Sequence, residues 1–291
     1  MKFKKILVIG GSGFLGSHVT DFLTSKKFEV TVFDLKKSKY LQDSNKFIKG
    51  DISNYEHVAK AVKGNDIVYN FAGIADIKEA NDNPHLAIEK NISGTNNILN
   101  ACVKFKVKRF ILASTVYVYS NQGGIYKATK QCCEILTDTY SENKNLKTTI
   151  LRFGSLYGPR ANNFNFVSNI INEALTKGTI TRKGSGNEIR NYIHVYDASK
   201  VCYDILQKKY ENDMVLINGS RNIKIKEFLK MISEILNNKV KIKYVKQVNE
   251  GHYEITPYSF NPKIAKKIIS DSEIELGQGI LHLINDINNS K

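Results

Sequence analysis

A phenol and an amine four residues apart, Tyr126 and Lys130 in Ile125-Tyr-Lys-Ala-Thr-Lys130, are a pair that could take a proton from a hydroxyl group. On a helix this spacing puts both side chains on one face. Free tyrosine titrates near ~10. An ammonium about 5 Å away, at an effective dielectric of ~20, favours the phenolate by roughly 3 kcal/mol, or about 2 pKa units. Hydride transfer from a secondary alcohol requires removal of the hydroxyl proton in the same step, so a base must reach that oxygen. Thr115, closing an apolar run, can donate a hydrogen bond to the same oxygen and orient it, with Ser114 its immediate competitor. The pair alone is unspecific, because Tyr140/Lys144 and Tyr196/Lys200 repeat the spacing. Only Tyr126/Lys130 lies just beyond an expected strand that ends in hydroxyl residues.

Such chemistry needs a hydride acceptor, and the chain opens with Gly10-Gly-Ser-Gly-Phe14-Leu15-Gly16. Gly11, Gly13 and Gly16 fit G-x-G-x-x-G, while Gly10, Gly13 and Gly16 fit the wider G-x-x-G-x-x-G. Either register allows a tight turn, a backbone with no Cβ against the phosphates, and a helix N-terminus that favours anions. Asp34 follows Gly16 by eighteen residues, at the end of the expected second strand. A carboxylate there accepts from both ribose hydroxyls and repels a 2′-phosphate, favouring NAD over NADP. Lys36 and Lys37 pull slightly the other way. Asp51 and Ile52 sit either at the adenine edge or in a helix N-cap region. Phe71, Ala72 and Gly73 end the fourth strand, where small residues permit close approach of a cofactor or of a helix. Asn91 could bond a backbone kink and hold a water near Lys130, or sit on a helix surface.

The elements that must carry these residues alternate. Short β-branched runs at 5–9, 29–33, 46–48, 67–71, 109–113 and 147–152 are separated by amphipathic stretches at 17–25, 55–62, 86–104 and 127–141. This alternation predicts an α/β fold, a doubly wound parallel sheet of the Rossmann type. After Gly158-Pro159 the regularity weakens and a smaller lobe begins, with strands expected at 214–218 and 240–245 around a helix at 226–236. No internal repeat is present.

At 291 residues the chain can bury a full core. Its net charge of +15 comes from scattered lysines without basic-aromatic alternation, so no nucleic-acid partner is expected. Four cysteines show neither metal-ligand spacing nor disulfide density, which points to a reducing compartment and no metal site. The apolar run after Met-Lys-Phe-Lys-Lys is too short for a signal peptide, and no stretch approaches the roughly 20 apolar residues that span a bilayer. A soluble cytoplasmic protein without a membrane partner is expected.

Taken together, these residues resemble the extended short-chain dehydrogenase/reductase family, in its nucleotide-sugar epimerase and dehydratase branch. The likeness extends to Leu151-Arg-Phe-Gly-Ser-Leu-Tyr-Gly-Pro-Arg160 and Arg190-Asn-Tyr-Ile-His-Val-Tyr-Asp197. It implies an NAD-binding domain at 1–160 with a return segment near 190–215, and a mainly substrate-binding C-terminal α/β lobe at 161–291. It further implies a nucleoside-diphosphate sugar as substrate, Arg190 at the diphosphate with Tyr192 beside it, and a homodimer formed through 86–104 and 127–141. Three departures stand out. Val116-Tyr117 replaces the acidic pair that dehydratases carry after the threonine, which argues against 4,6-dehydration. The segment 119–126 is short, removing a loop that usually covers the sugar. Ser155 stands where many relatives carry a substrate-binding asparagine, and no arginine follows Arg221; His252, Tyr253, Thr256 and Tyr258 are candidates to replace that phosphate ligand. The expected activity is oxidation of a sugar hydroxyl at C4, as a 4-epimerase or 4-dehydrogenase in carbohydrate biosynthesis. The alternatives are a 4-keto sugar-nucleotide reductase and a non-catalytic dinucleotide sensor.

Overall fold

The computed structural model describes residues 3–162 and 164–245. Its first half alternates as the β-branched runs require: β1 (Lys5–Ile9), α1 (Phe14–Ser25), β2 (Glu29–Asp34), β3 (Lys46–Lys49), α2 (Tyr55–Val62), β4 (Ile67–Asn70), α3 (Ile77–Asp82), α4 (Pro84–Ala87) and α5 (Gly94–Lys104). β5 (Arg109–Thr115), α6 (Gly124–Lys144), β6 (Thr148–Phe153), β7 (Ser155–Tyr157), α7 (Phe166–Lys177), β8 (Thr179–Lys183) and β9 (Ile189–His194) follow. α8 (Val195–Asp204), β10 (Asp213–Ile217), β11 (Asn222–Lys224), α9 (Ile225–Ile235) and β12 (Lys241–Val245) complete the described chain.

Seven strands form one sheet in the order β10-β6-β5-β4-β1-β2-β3, and every pairing in it is parallel. The expected Rossmann-type parallel sheet is present. Period-two alternation explains its two cores. Along β1, Leu7 and Ile9 point to a cluster with Val58, Val62, Ile98 and Leu99, while Ile6 and Val8 point to one with Val19, Leu23, Ala198 and Cys202. Helices therefore cover both faces. Strand order reverses between β1 and β4, so the connections leaving these two strands turn to opposite faces of the sheet and leave a crevice beyond their carboxyl ends.

A third core gathers Val167, Ile170 and Ala174 of α7, Ile180 of β8, and Phe228, Leu229 and Ile232 of α9. Two small sheets flank it, β11-β9-β7 and β12-β8.

Most expected strands are found within one or two residues, but several helical stretches differ: α6 extends the expected 127–141 by three residues at each end, and α3, α7 and α8 lie where no helix is expected. The run expected as one helix at 86–104 is interrupted by a π-helical turn, Ile88–Ser93, between α4 and α5. The extra residue per turn has acceptable partners: the Asn91 carbonyl accepts from Cys133 Sγ at 3.1 Å, and the Asn91 side chain bonds outside the helix. α1 starts at Phe14 instead of 17, because Gly13 N–H closes a turn on the Gly10 carbonyl at 3.1 Å. α7, not expected, is set by Asn165, whose side chain accepts from Ser168 N–H at 3.1 Å, and by buried Val167, Ile170 and Ala174. None of the described helices is long and apolar enough to cross a membrane.

Candidate active site

The carboxyl ends of β1, β4, β5 and β6 border a cleft of about 1720 Å³, closed on its far side by residues of α7, β8 and β9. A single small ligand occupies ~300–1,000 Å³. The volume suits two ligands side by side.

At one end lie Gly10, Gly13, Phe14, Leu15 and Gly16. Gly10 has φ +78°, and a Cβ there would stand 2.6 Å from the Ala72 amide nitrogen; at Gly16 it would meet the Gly10 carbonyl at 2.2 Å. These two glycines let the β1 and β4 ends and α1 approach each other. A Cβ on Gly13 would meet only the Gly10 carbonyl, at 3.3 Å, so its outer side is open. Gly13 caps α1 without a side chain, which leaves the first-turn amides and the positive end of the helix dipole toward the cleft. Asp34 ends β2, where its Oδ2 accepts from Ser12 N–H at 2.9 Å and its Oδ1 from Leu35 N–H at 2.7 Å. A backbone cradle open at Gly13 fits a dinucleotide pyrophosphate; Asp34, at the end of the neighbouring strand, lies outside the cleft lining and is tied to the cradle through Ser12 N–H.

Phe71 and Gly73 line the same cleft; Ala72 lies between them, its N–H bonded to Asn70 Oδ1 at 3.1 Å. Gly73 has φ +140°, and a Cβ would stand 2.4 Å from Asn91 Oδ1. That oxygen accepts from Ile74 N–H at 2.7 Å, while Asn91 Nδ2 donates to the Ile74 carbonyl at 3.1 Å and to Thr129 Oγ1 at 2.9 Å. Asn91 thus sits at a kink and fastens the loop after β4 to α6. Asp51 and Ile52 are placed outside the cleft lining. Lys90 Nζ lies 2.9 Å from Asp51 Oδ2, and Ser53 N–H donates to Asp51 Oδ1 at 2.9 Å. Burial pushes the Asp51 carboxyl up, but these partners outweigh it and hold the group below its ordinary range. Ile52 is buried, and a Cβ on Gly94 would stand 2.7 Å from its Cδ1.

Thr115, Tyr126 and Lys130 all face the cleft. Thr115 ends β5 and caps the 3-10 turn Val116–Tyr119, its Oγ1 accepting from Tyr117 N–H at 3.3 Å. That bond uses a lone pair and leaves the hydroxyl proton to be donated. Ser114, also in the lining, is already committed: its Oγ donates to Glu134 Oε1 at 2.5 Å. Tyr126 is half-buried in the first turn of α6, edge-on to Tyr117 with centroids 6.2 Å apart. Gly123, at φ +100°, and Gly124, at φ +49°, turn the chain into α6, and Asn81 Oδ1 accepts from Ile125 N–H at 2.9 Å. Lys130, one turn on, is buried and donates to the Ala113 carbonyl at 2.9 Å. Burial lowers its pKa, against the charges of Cys133 and Glu134, which raise it. The two rival pairs are elsewhere: Tyr140 Oη donates to Asn96 and Asn100, and Lys200 pairs with Asp204.

Ser155, Arg190 and Tyr192 line the opposite wall. Arg190 is 9% exposed and donates to the Ile189 carbonyl at 2.9 Å; Tyr192 stacks on Phe228 at 4.5 Å. His252, Tyr253, Thr256 and Tyr258 lie outside the described residues. Sequence reasoning passed over two residues here. Arg182, held by Glu188 at 3.1 Å over the Phe166 ring, also lines the cleft. Glu134 carries the i+4 spacing one step beyond Lys130, a signal that was there to be read.

The sequence pattern described as the NAD dependent epimerase/dehydratase family matches residues 6–217. The chain belongs to that family. A UDP-N-acetyl-alpha-D-glucosaminuronate decarboxylase of Bacillus cytotoxicus is 28% identical over 83% of this chain and 83% of its own length. A UDP-glucuronate 4-epimerase of Thermodesulfobacterium geofontis is 24% identical over 96% and 94%. The crystal structure of UDP-glucuronic acid 4-epimerase from Bacillus cereus, in complex with UDP-glucuronic acid and NAD, superposes with a TM-score of 0.79 at 24% identity, covering 90% of this chain and 95% of that one. The family member described here is accordingly an NAD-dependent enzyme of the extended short-chain dehydrogenase/reductase type.

Proposed function

We propose that this enzyme oxidises the C4 hydroxyl of a nucleoside-diphosphate sugar, as a 4-epimerase or 4-dehydrogenase. The observation that carries the reading is the arrival of Thr115, Tyr126 and Lys130, from two elements, in the cleft that also holds the glycine cradle. NAD bound on that cradle would supply the hydride acceptor. Tyr126 takes the proton from the sugar hydroxyl, Thr115 donates to the same oxygen, and Lys130 stabilises the phenolate and holds the nicotinamide ribose. Gly10, Gly13, Phe14, Leu15 and Gly16 hold the pyrophosphate, and Asp34 the adenosine ribose. Phe71, Ala72 and Gly73 shape the surrounding wall, which Asn91 fastens to α6. Arg190 meets the diphosphate with a forked, permanently charged donor set, beside Tyr192 and Ser155. The smaller lobe built on the third core binds the nucleotide.

A C4 ketone is a branch point. Returned with its other face presented, it gives the epimer; released, it makes the enzyme a dehydrogenase. The relatives named as acting on uronates favour a sugar with a C5 carboxylate. There the ketone stands β to the carboxylate, so loss of carbon dioxide is a third exit. Exposed Leu86, Ile88 and Ile135 on the 86–104 stretch and α6 support a homodimer through these helices. The free thiols of Cys102, Cys132, Cys133 and Cys202 support a cytoplasmic setting.

The test offers UDP-glucose, UDP-N-acetylglucosamine and UDP-glucuronate to the NAD-loaded enzyme and to Tyr126→Phe. At least one sugar is expected to turn over, with kcat falling about 10²–10⁴-fold in the variant. Undiminished turnover in Tyr126→Phe would overturn the assignment.

A further inference from the structure

Glu134 is a carboxylate with only 6% of its surface exposed, one helical turn beyond Lys130 and two beyond Tyr126. Its Oε1 accepts from Ser114 Oγ at 2.5 Å and from Arg152 Nε at 3.0 Å, and its Oε2 from Arg152 Nη2 at 2.7 Å. Arg152 in turn donates from Nη1 to Tyr119 Oη at 2.6 Å, with its guanidinium 4.7 Å from that ring's centroid. The four residues belong to four elements. Ser114 immediately precedes Thr115 on β5, Arg152 stands opposite Ser114 in the β5/β6 register, and Tyr119 ends the turn that Thr115 caps. Glu134 alone comes from α6.

We propose that Glu134 is a positioning residue for the catalytic set, its carboxylate fastening the helix that carries Tyr126 and Lys130 to the strand end that carries Thr115. The inference rests on the function proposed above. A buried ion pair is a weak source of stability, because desolvation offsets most of its attraction. A bidentate fork is a strong source of orientation, since both oxygens and two guanidinium nitrogens must be coplanar. Here the fork is shared with the neighbour of Thr115, so translation of α6 along β5 breaks two contacts at once. A shift of even 1 Å at a reacting group costs about 10²-fold in rate. The carboxylate also places a negative charge near the Lys130 ammonium, whose polar contact on the strand is the Ala113 carbonyl. The position of Lys130 therefore depends on it, while the charge state of Lys130 is set first by burial, which Cys133 and Glu134 both oppose.

The test uses full-length, NAD-loaded protein and the same three UDP-sugars, with NADH formation in a single turnover followed against pH. Glu134→Gln keeps an acceptor for Ser114 but removes the charge and the fork. It is expected to lower the rate roughly 10-fold or more with little change in KM. Its alkaline limb is expected at lower pH than in the wild type, because Lys130 loses a neighbour that favours its charged form. Glu134→Asp, shorter but charged, restores the limb and only part of the rate. If no probe reduces the cofactor, the pH dependence of NAD affinity reads the same limb, since Lys130 holds the ribose. Should Glu134→Gln fail to fold, Ser114→Ala is expected to lower the rate at an unchanged melting temperature. Wild-type rate and limb in Glu134→Gln, or a rate loss that tracks the melting temperature with the limb unmoved, overturn the inference. So does wild-type kinetics in Ser114→Ala. Full turnover by Tyr126→Phe is a different result and removes the underlying reading instead.

Discussion

The two ends of the seven-stranded sheet handle their polar groups in opposite ways. At the amino ends, polar groups are turned on one another. Asp66 Oδ2 accepts from Lys4 and Lys5 N–H at 2.8 and 3.1 Å, and its Oδ1 pairs with Lys108 at 2.7 Å. Arg109, fully buried, donates to Thr149 Oγ1 at 3.0 Å and pairs with Glu211 at 2.9 Å. At the carboxyl ends some groups are also paired, as Ser114 and Arg152 are with Glu134, but the first turn of α1, the Thr115 hydroxyl, Tyr126 and Lys130 are turned toward a cleft. The amino ends are organised to hold the sheet, and the carboxyl ends to hold something else. Parallel topology makes this division available, because every βα connection emerges on one side and every αβ connection on the other.

Substitutions at the two ends should therefore separate activity from stability. Tyr126→Phe is the most severe in rate, two to four orders of magnitude, with a melting temperature close to that of the wild type. Arg109→Met should do the reverse, costing about 3 kcal/mol in denaturant unfolding through the stranded partner Glu211, with kcat/KM preserved in the folded fraction. A large loss of turnover there would blur the division. Asp34→Asn is expected to weaken NAD about 10-fold in titration calorimetry while narrowing the preference over NADP, since one charged acceptor for the ribose is lost. Unchanged NAD affinity would remove Asp34 from the site.

The smallest effect concerns pH. Burial raises the Asp66 carboxyl, but Lys108 and the two backbone amides outweigh it and bring its pKa down to about 2. A depressed carboxylate contributes stability that is complete above its unfolded value of ~3.9 and is lost as pH falls through about 2. Asp66→Asn should accordingly melt below the wild type at pH 7, with the gap closing toward pH 2. A gap constant with pH would mean that the contact acts without its charge.

The same division explains what the sequence could show. Strands β1, β2, β4 and β5 are legible because burial on both faces forces continuous β-branched runs, and the glycines because close approach at Gly10 and Gly16 tolerates nothing larger. The π-helical turn at Ile88–Ser93 is not legible, since its partners Ile74, Thr129 and Cys133 lie 14 or more residues away. α7 is hidden by the asparagines before it, although Asn165 and the spacing of Val167, Ile170 and Ala174 contain it. In the site, Tyr126/Lys130 could be separated from the two rival pairs by position after β5. Thr115 could be preferred over Ser114 by its place at the strand end, but the physical ground for it, the bond of Ser114 to Glu134, is a contact across 20 residues. The sequence leaves Asp51 and Ile52 between the adenine edge and a helix N-cap region, because the pairing of Asp51 with Lys90 is a contact across 39 residues.

The most direct test of the account follows the hydrogen itself. Enzyme loaded with NAD is given whichever UDP-sugar it accepts, labelled with deuterium at C4, and the cofactor is recovered for mass spectrometry by rapid quench at intervals within a single turnover, before the ketone is reduced again. The account predicts deuterium on the nicotinamide with wild-type protein and almost none with Tyr126→Phe. Product formed with the label lost to water, or formed with no deuterium on the nicotinamide at any quench time, would contradict it.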